Sequence, residues 1–257
     1  MSRFQDSDLT YNDFLNGRLR LWQPRAGYRA GVDPVLLAAA VPATSSHTVL
    51  ELGCGAGAAI LCVLTRVPGA KGVGVELQPS YADLARRNAA ENNLPIEVVK
   101  ADLSALPADL KQRQFDHVIA NPPYYRAGAH SGAADRGRRI ALGEVTPLDT
   151  WFDTAARRLA PRGHLHMIQK ADRLPDMLAG CAGRLGSVEV LPLAARAGRS
   201  AELVILRARK GGKAAFRLHA PLILHAGERH DKDGESYTPQ VEEVLRHGAA
   251  ISQFFSK

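Results

Sequence analysis

The sequence predicts an α/β protein built on a doubly wound, mostly parallel seven-stranded sheet with an antiparallel edge strand. Three observations carry this expectation. Between residues 48 and 208, short apolar runs of strand length alternate with longer amphipathic segments, as strands joined by helical crossovers do. The first run, Thr48-Val49-Leu50-Glu51-Leu52, ends in the glycine-rich turn Gly53-Cys54-Gly55-Ala56-Gly57. The last two runs, Val188 to Leu193 and Ala201 to Ala208, are too close for a helix to cross between them, so they pair antiparallel at one edge.

Element by element, Asp6 to Arg20 is amphipathic and polar at its start, and Leu19 and Leu21 open a short strand. Gln23 to Tyr28 reads as a turn. Asp33-Pro34 has the form of an N-cap followed by proline at the first helical position, opening a helix over Val35 to Ala40 that stops near Pro42. After the glycine turn, Ala58 to Val67 is a helix closed by Pro68-Gly69, and Lys71 to Leu77 is a strand. Pro79 opens a helix to about Asn92, and strands follow at Ile96 to Ala101 and Phe115 to Ala120. Trp151 to Leu159 is helical, Gly163 to Gln169 a strand, and Arg173 to Arg184 helical, ahead of the two closing strands. Residues 211–257 are less regular and are expected to pack on the domain as a tail.

A chain of 257 residues supports one large α/β domain with its own core. The longest apolar run, Val35 to Val41, is far too short to span a bilayer. Met1 to Tyr11 is polar and lacks a signal-peptide core, and the three cysteines, Cys54, Cys62 and Cys181, fit neither a disulfide framework nor a metal spacing. A cytoplasmic protein without a metal is the expectation. The net charge of +7 points to a polyanionic partner, nucleic acid first.

In an open α/β sheet, ligands bind beyond the carboxyl ends of the strands. Gly53, Gly55 and Gly57 lie there and let a ligand approach backbone without meeting a Cβ. Glu51 precedes the turn, where it could meet a cationic amine. Glu76 ends the next strand, where a carboxylate can accept from both hydroxyls of a ribose. Asp102 ends the third, where it could accept from an adenine amino group. Gly53, Gly55 and Ala58 also fit the dinucleotide fingerprint G-x-G-x-x-A, and Glu76 suits NAD equally, but Glu51 beside the turn and the lack of any need for a pyrophosphate site tip the set toward S-adenosylmethionine (SAM). Each acid taken singly is also compatible with a strand end or helix cap.

The fourth strand runs into Asn121-Pro122-Pro123-Tyr124. An amide or aromatic amine is a poor nucleophile because its lone pair is delocalised. The Asn121 side-chain oxygen and the Pro122 carbonyl can accept both N–H bonds of such an NH2 group and favour a localised lone pair. Pro122 and Pro123 stiffen the turn, and Tyr124 offers a ring for stacking a flipped base or flat amide. Asn121 to Tyr124 are therefore the candidate catalytic residues, for methyl transfer from SAM to a conjugated nitrogen.

With these motifs the chain resembles the class I SAM-dependent methyltransferases, and most closely the bacterial tRNA1(Val) (adenine-N6)-methyltransferase family. The likeness covers roughly residues 28–210. It rests on Gly27-Tyr28-Arg29-Ala30-Gly31-Val32-Asp33, the glycine turn, Asn121-Pro122-Pro123-Tyr124-Tyr125, Arg199-Ser200-Ala201-Glu202-Leu203-Val204 and Tyr237-Thr238. The resemblance implies a Rossmann-like methyltransferase fold, with S-adenosylhomocysteine as product and no metal. It implies that the glycine turn, Glu76, Asp102 and Asn121 touch SAM or the target, and that the segment around Asp33 covers the methionine end. It divides the chain into an N-terminal segment, 1–45, over the cofactor site, a SAM-binding catalytic domain, 46–210, and a C-terminal extension, 211–257, on the same domain.

Asn-Pro-Pro-Tyr alone leaves adenine N6 and glutamine N5 both open. Glutamine-N5 protein methyltransferases of release factors share the tetrapeptide but carry a helical N-terminal domain before the glycine turn. Positive charge favours RNA, most readily a tRNA anticodon loop whose bases are already unpaired. Arg126, Arg136, Arg138 and Arg139 follow the catalytic turn, and Arg196 and Arg199 lie between the closing strands, within a second basic cluster that runs to Lys213. A non-catalytic RNA-binding protein on the same fold is the reading from another class.

Overall fold

The computed structural model describes residues 4–124, 146–227 and 236–255. Its centre is a nine-stranded sheet in the order β10-β8-β9-β7-β6-β3-β4-β5, with β11 also on β8. The strands are β3 (Thr48–Leu52), β4 (Lys71–Glu76), β5 (Ile96–Lys100), β6 (Phe115–Ala120), β7 (Leu159–Lys170), β8 (Gly186–Ala194), β9 (Ala201–Arg209), β10 (Arg217–Leu218) and β11 (Leu222–Ile223). All pairings are parallel except β7–β9 and β8–β9. The seven expected strands are all present, and the antiparallel pair falls where the short spacing put it. Two features differ. The sheet has nine strands rather than seven, because β10 and β11, two residues each and below any periodicity signal, continue it past β8. The strand antiparallel to its neighbours, β9, is interior and not the edge because it is inserted between β7 and β8.

The helices are α1 (Asp33–Ala40), α2 (Ala58–Arg66), α3 (Pro79–Glu91), α4 (Ala108–Gln112), α5 (Leu148–Arg158), α6 (Leu174–Cys181) and α7 (Pro239–His247). They cover both faces because successive strand side chains point to opposite sides. Val49, Ile119, Ile168 and Ile205 face a core shared with Leu36, Leu37, Ile60 and Leu61 of α1 and α2. Their neighbours Leu50, Val118, Met167 and Leu206 face the other core, with Phe152 of α5 and Met177 of α6. Full burial of each such side chain contributes about 1.5–3 kcal/mol before entropy is subtracted.

The N-terminus departs from expectation. Residues 9–24 form an antiparallel hairpin: β2 (Leu19–Pro24) is the short strand expected to open at Leu19, and β1 (Leu9–Phe14) lies within the stretch expected only to be amphipathic. Its turn puts Leu15, Asn16 and Gly17 at φ 50°, 57° and 78°, and Asn16-Gly17 is a hairpin signal. The hairpin is bonded to α3: Trp22 N–H donates to Asn88 Oδ1 at 2.8 Å, and Asn88 Nδ2 donates to the Trp22 carbonyl at 3.1 Å. Helix α1 begins at Asp33 with Val32 as its cap, one residue earlier than expected. At the other end, α7 is a helix within the expected tail, capped by the Thr238 hydroxyl, and Ile251 N–H donates to the Ala39 carbonyl of α1 at 2.9 Å.

Candidate active site

Beyond the carboxyl ends of β3, β4 and β6 lies a cavity of about 370 Å³. Its walls include Tyr28 and Asp33 from the N-terminal segment, Glu51, Gly53 and Gly55 around the glycine turn, and Glu76. Asn121 to Tyr124 and Trp151 close it. The sequence-separated motifs thus meet in one pocket.

Positive φ at Gly53 (62°), Gly55 (53°) and Gly57 (86°) lets the chain reverse from β3 into α2. Gly53 is also required sterically, since a Cβ there would lie 2.4 Å from Trp151 Cη2. Gly57 caps α2 with no side chain to offer, and Glu51 supplies the missing acceptor: its Oε2 accepts from Ile60 N–H at 3.0 Å. Glu51 is 3% exposed, and burial, only partly offset by that bond, holds its carboxyl well above the usual range, with the Glu76 charge adding to it. Glu76 binds the turn to its own strand end, accepting from Gly55 N–H and Gln78 N–H, each at 2.8 Å. Burial raises its carboxyl as well, against the pull of those N–H groups. Among the described residues no basic side chain pairs with Glu51 or Glu76.

Asp102 lies outside the cavity wall, between Ala101 and Leu103, which line it. Its Oδ1 accepts from Ser104 N–H at 2.8 Å and Ser104 Oγ at 2.7 Å, capping a short 3-10 turn. Helix-capping therefore accounts for part of what Glu51 and Asp102 do.

The Asn121 to Tyr124 turn is held from three sides. Asn121 Nδ2 donates to the Tyr28 hydroxyl at 3.3 Å. Tyr124 donates its hydroxyl to Asp33 Oδ2, and burial followed by the Asp33 charge raises the phenol's pKa. Asp33 is thus placed against the Asn121 to Tyr124 turn. Gln169, fully buried at the end of β7, donates to the carbonyls of Pro122 at 3.1 Å and Pro123 at 3.3 Å, while its Oε1 accepts from Lys170 N–H. The Pro122 carbonyl, expected to accept from a target NH2 group, is also an acceptor for Gln169.

Tyr28, Gln169 and Trp151 are site residues that the sequence did not single out. Tyr28 stood inside a quoted motif; Gln169 and Trp151 carry no local signal, because only the sheet order brings them to the turn.

Arg196 is corrected as a candidate RNA contact. It is 9% exposed and its guanidinium donates to the carbonyls of Ala226 at 2.5 Å and Gly227 at 2.9 Å, so it braces the C-terminal segment. Arg199 is exposed in the β8–β9 turn, at the same end of the sheet as Asn121. Arg126, Arg136, Arg138 and Arg139 lie outside the described residues. Among the described residues no group of His, Cys, Asp and Glu could hold a metal, and no helix is long and apolar enough to cross a membrane.

Comparison with known proteins bears on this geometry. Residues 30–189 match the family model of the methyltransferase small domain. A protein of Porphyromonas gingivalis (strain ATCC BAA-308 / W83), named tRNA1(Val) (adenine(37)-N6)-methyltransferase, is 32% identical over 66% of this chain and 72% of its own. One of the same name from Dickeya chrysanthemi is 30% identical over 74% of this chain and 76% of its own. The crystal structure of a protein from Agrobacterium tumefaciens, described as a predicted O-methyltransferase, superposes with a TM-score of 0.68 at 29% identity, covering 85% of this chain and 98% of that one. The chain belongs to the methyltransferase small domain family, among the bacterial tRNA1(Val) (adenine-N6)-methyltransferases.

Proposed function

We propose that the protein transfers a methyl group from SAM to the exocyclic N6 of an adenine in tRNA, in the anticodon loop. The observation that carries this reading is the placement of Asn121-Pro122-Pro123-Tyr124 at the mouth of the cavity that also holds the glycine turn and two buried acids. The residues fit SAM: Glu51 and Glu76 are buried and have no cationic partner among the described residues, so a ligand bringing an ammonium and hydroxyl donors would satisfy them. Glu51 would meet the methionine amine, Glu76 the ribose hydroxyls, and Asp102, through its second oxygen, the adenine edge. The glycine turn would carry the methionine backbone, with Asp33 closing that end.

SAM, when bound, supplies a methyl group on a sulfonium, electrophilic enough to need no strong general base. What the protein adds is alignment. Asn121 Oδ1 and the Pro122 carbonyl accept the two N–H bonds of the target amine, so the nitrogen pyramidalises, and its lone pair is withdrawn from conjugation with the ring and points into the cavity. Tyr124 presents its ring to the base, and the bond to Asp33 fixes how that ring stands. The proton released leaves to solvent, with S-adenosylhomocysteine as the other product.

For RNA, Arg199 and Lys170, both exposed at the Asn121 end of the sheet, supply phosphate contacts, joined by Arg126, Arg136, Arg138 and Arg139. In this reading residues 1–45 cover the cofactor, 46–210 carry it, 211–257 buttress the domain, and the enzyme works in the cytoplasm. The names of the relatives support adenine over glutamine. The Agrobacterium protein is named for methyl transfer to oxygen, but the Asn-Pro-Pro-Tyr turn is built to accept two N–H bonds.

The test is mass spectrometry of nucleosides from total tRNA of cells with and without the protein. Loss of N6-methyladenosine from one isoacceptor is expected; an unchanged tRNA pool, with methyl transfer from labelled SAM to a release-factor glutamine instead, overturns the proposal.

A further inference from the structure

A side-chain amide has one accepting and one donating end. Only Asn121 Oδ1 can accept from a target NH2; rotated by 180°, the amide would set donor against donor. Catalysis by the turn therefore requires that something fix the amide's orientation. The bond from Asn121 Nδ2 to the Tyr28 hydroxyl at 3.3 Å is placed to do this. Tyr28 is itself fixed from outside the catalytic turn. Its backbone N–H donates to the Tyr81 hydroxyl of α3 at 2.9 Å, and that hydroxyl donates back to the Tyr28 carbonyl at 3.1 Å. Its ring lies over Gly55, where an added Cβ would come 3.8 Å from Tyr28 Cε1.

We propose that Tyr28 is a positioning residue that sets the Asn121 amide with its oxygen toward the target, resting on the amine-methylation reading of the same site. The phenol suits the role because it stays protonated: burial, then the charges of Glu51 and Asp33, raise its pKa. A protonated phenol oxygen keeps lone pairs with which to accept from Asn121 Nδ2. The chain from Tyr81 through Tyr28 to Asn121 also joins the helix after the ribose-side strand to the methyl-accepting turn.

The test joins kinetics to spectroscopy. Tyr28→Phe keeps the ring on Gly55 and removes only the acceptor. It is expected to lower kcat about tenfold with little change in KM for tRNA or in Kd for SAM. In an Asn121→Asp background the same change is expected to cost less than about threefold, because a carboxylate has two equivalent oxygens and nothing to orient. Independently of activity, the Asn121 side-chain amide, labelled with 15N-asparagine and assigned by its loss in Asn121→Asp, is expected to shift and exchange faster in Tyr28→Phe. Equal losses of kcat in the two backgrounds, or an amide resonance unmoved by Tyr28→Phe, overturn the proposal. If the wild-type protein methylates no tRNA, the amine-methylation reading fails, while the resonance still decides whether Tyr28 orients Asn121.

Discussion

Gln169 Nε2 reaches the Pro122 carbonyl at 3.1 Å from a fully buried position on β7, tying the strand next to β6 to the turn that ends β6. Two things follow from a shared carbonyl. Its remaining lone pair is aimed by the bond it already makes, and losing Gln169 would leave the buried Pro122 carbonyl and the half-buried Pro123 carbonyl without that donor. Gln169→Leu should lower kcat about tenfold through misalignment of the turn, with the Kd for SAM changed less than about twofold. Isothermal titration alongside steady-state kinetics separates the two. Loss of SAM binding in parallel with kcat would mean that Gln169 merely holds the fold together.

Gly53 meets two demands at once, a positive φ and the indole of Trp151. Gly53→Ala should cost about 2 kcal/mol, lowering Tm by about 5 °C. The added Cβ would strike Cη2 and Cζ3, atoms of the indole's outer ring that a phenyl ring does not reproduce. Adding Trp151→Phe should therefore recover part of the loss, measured by thermal unfolding; no recovery would place the strain in the backbone alone.

In the proposed role Glu51 would hold the SAM amine, and its burial has a cost in stability. A buried carboxyl with a raised pKa holds a proton that the unfolded chain releases, so its penalty appears as pH rises above the ordinary carboxylate range and grows until the folded-state value is passed. Glu51→Gln keeps an acceptor for Ile60 N–H and removes the charge. It should raise Tm at pH 7.5 in the absence of SAM and weaken SAM binding by at least about tenfold, about 1.4 kcal/mol. A variant less stable than wild type and equally able to bind SAM would contradict this assignment.

The opposite end of the sheet titrates the other way. His117, His164 and His166 cluster on β6 and β7, with His47 bonded to His117 at 3.0 Å. Burial, then neighbouring positive groups, lowers His117 to about 3, His164 to about 4, and His166 well below its ordinary value. For a depressed histidine the unfolded chain takes up protons first. Stability is full above pH ~6.5 and falls as the pH drops from there toward the folded-state values. Glu51 and Glu76 act with the opposite sign, so the difference between wild type and His166→Leu isolates the histidines. Urea unfolding at pH 7.5, 6 and 5 should show the wild type losing stability faster than the variant; parallel curves would contradict it.

How much of this was legible in the sequence follows from the range of the forces involved. The strand and helix pattern from Thr48 to Ala208 was readable because each strand fits one period, and Val49 and Leu50 show that period by facing opposite cores. The glycine turn, Glu51, Glu76 and Asn121 were readable because strand ends are where such a sheet binds ligands. Asn16-Gly17 is a local signal for the hairpin, masked because the flanking residues alternate weakly. Strands β10 and β11 pair by register with β8 and have no local signature. Gln169, Trp151 and the inward role of Arg196 depend on which strands and loops become neighbours, which no local pattern records.

The central claim is that Asn121 grips an adenine amine beside SAM. Its most direct test is methyl transfer from labelled SAM to unmodified tRNA by the purified protein, with wild type and Asn121→Ala compared and the product identified as a nucleoside by mass spectrometry. The account predicts N6-methyladenosine from the wild type and a loss of at least about a hundredfold in the variant, with SAM still bound. Undiminished transfer by Asn121→Ala, or label on any atom other than adenine N6, would contradict it.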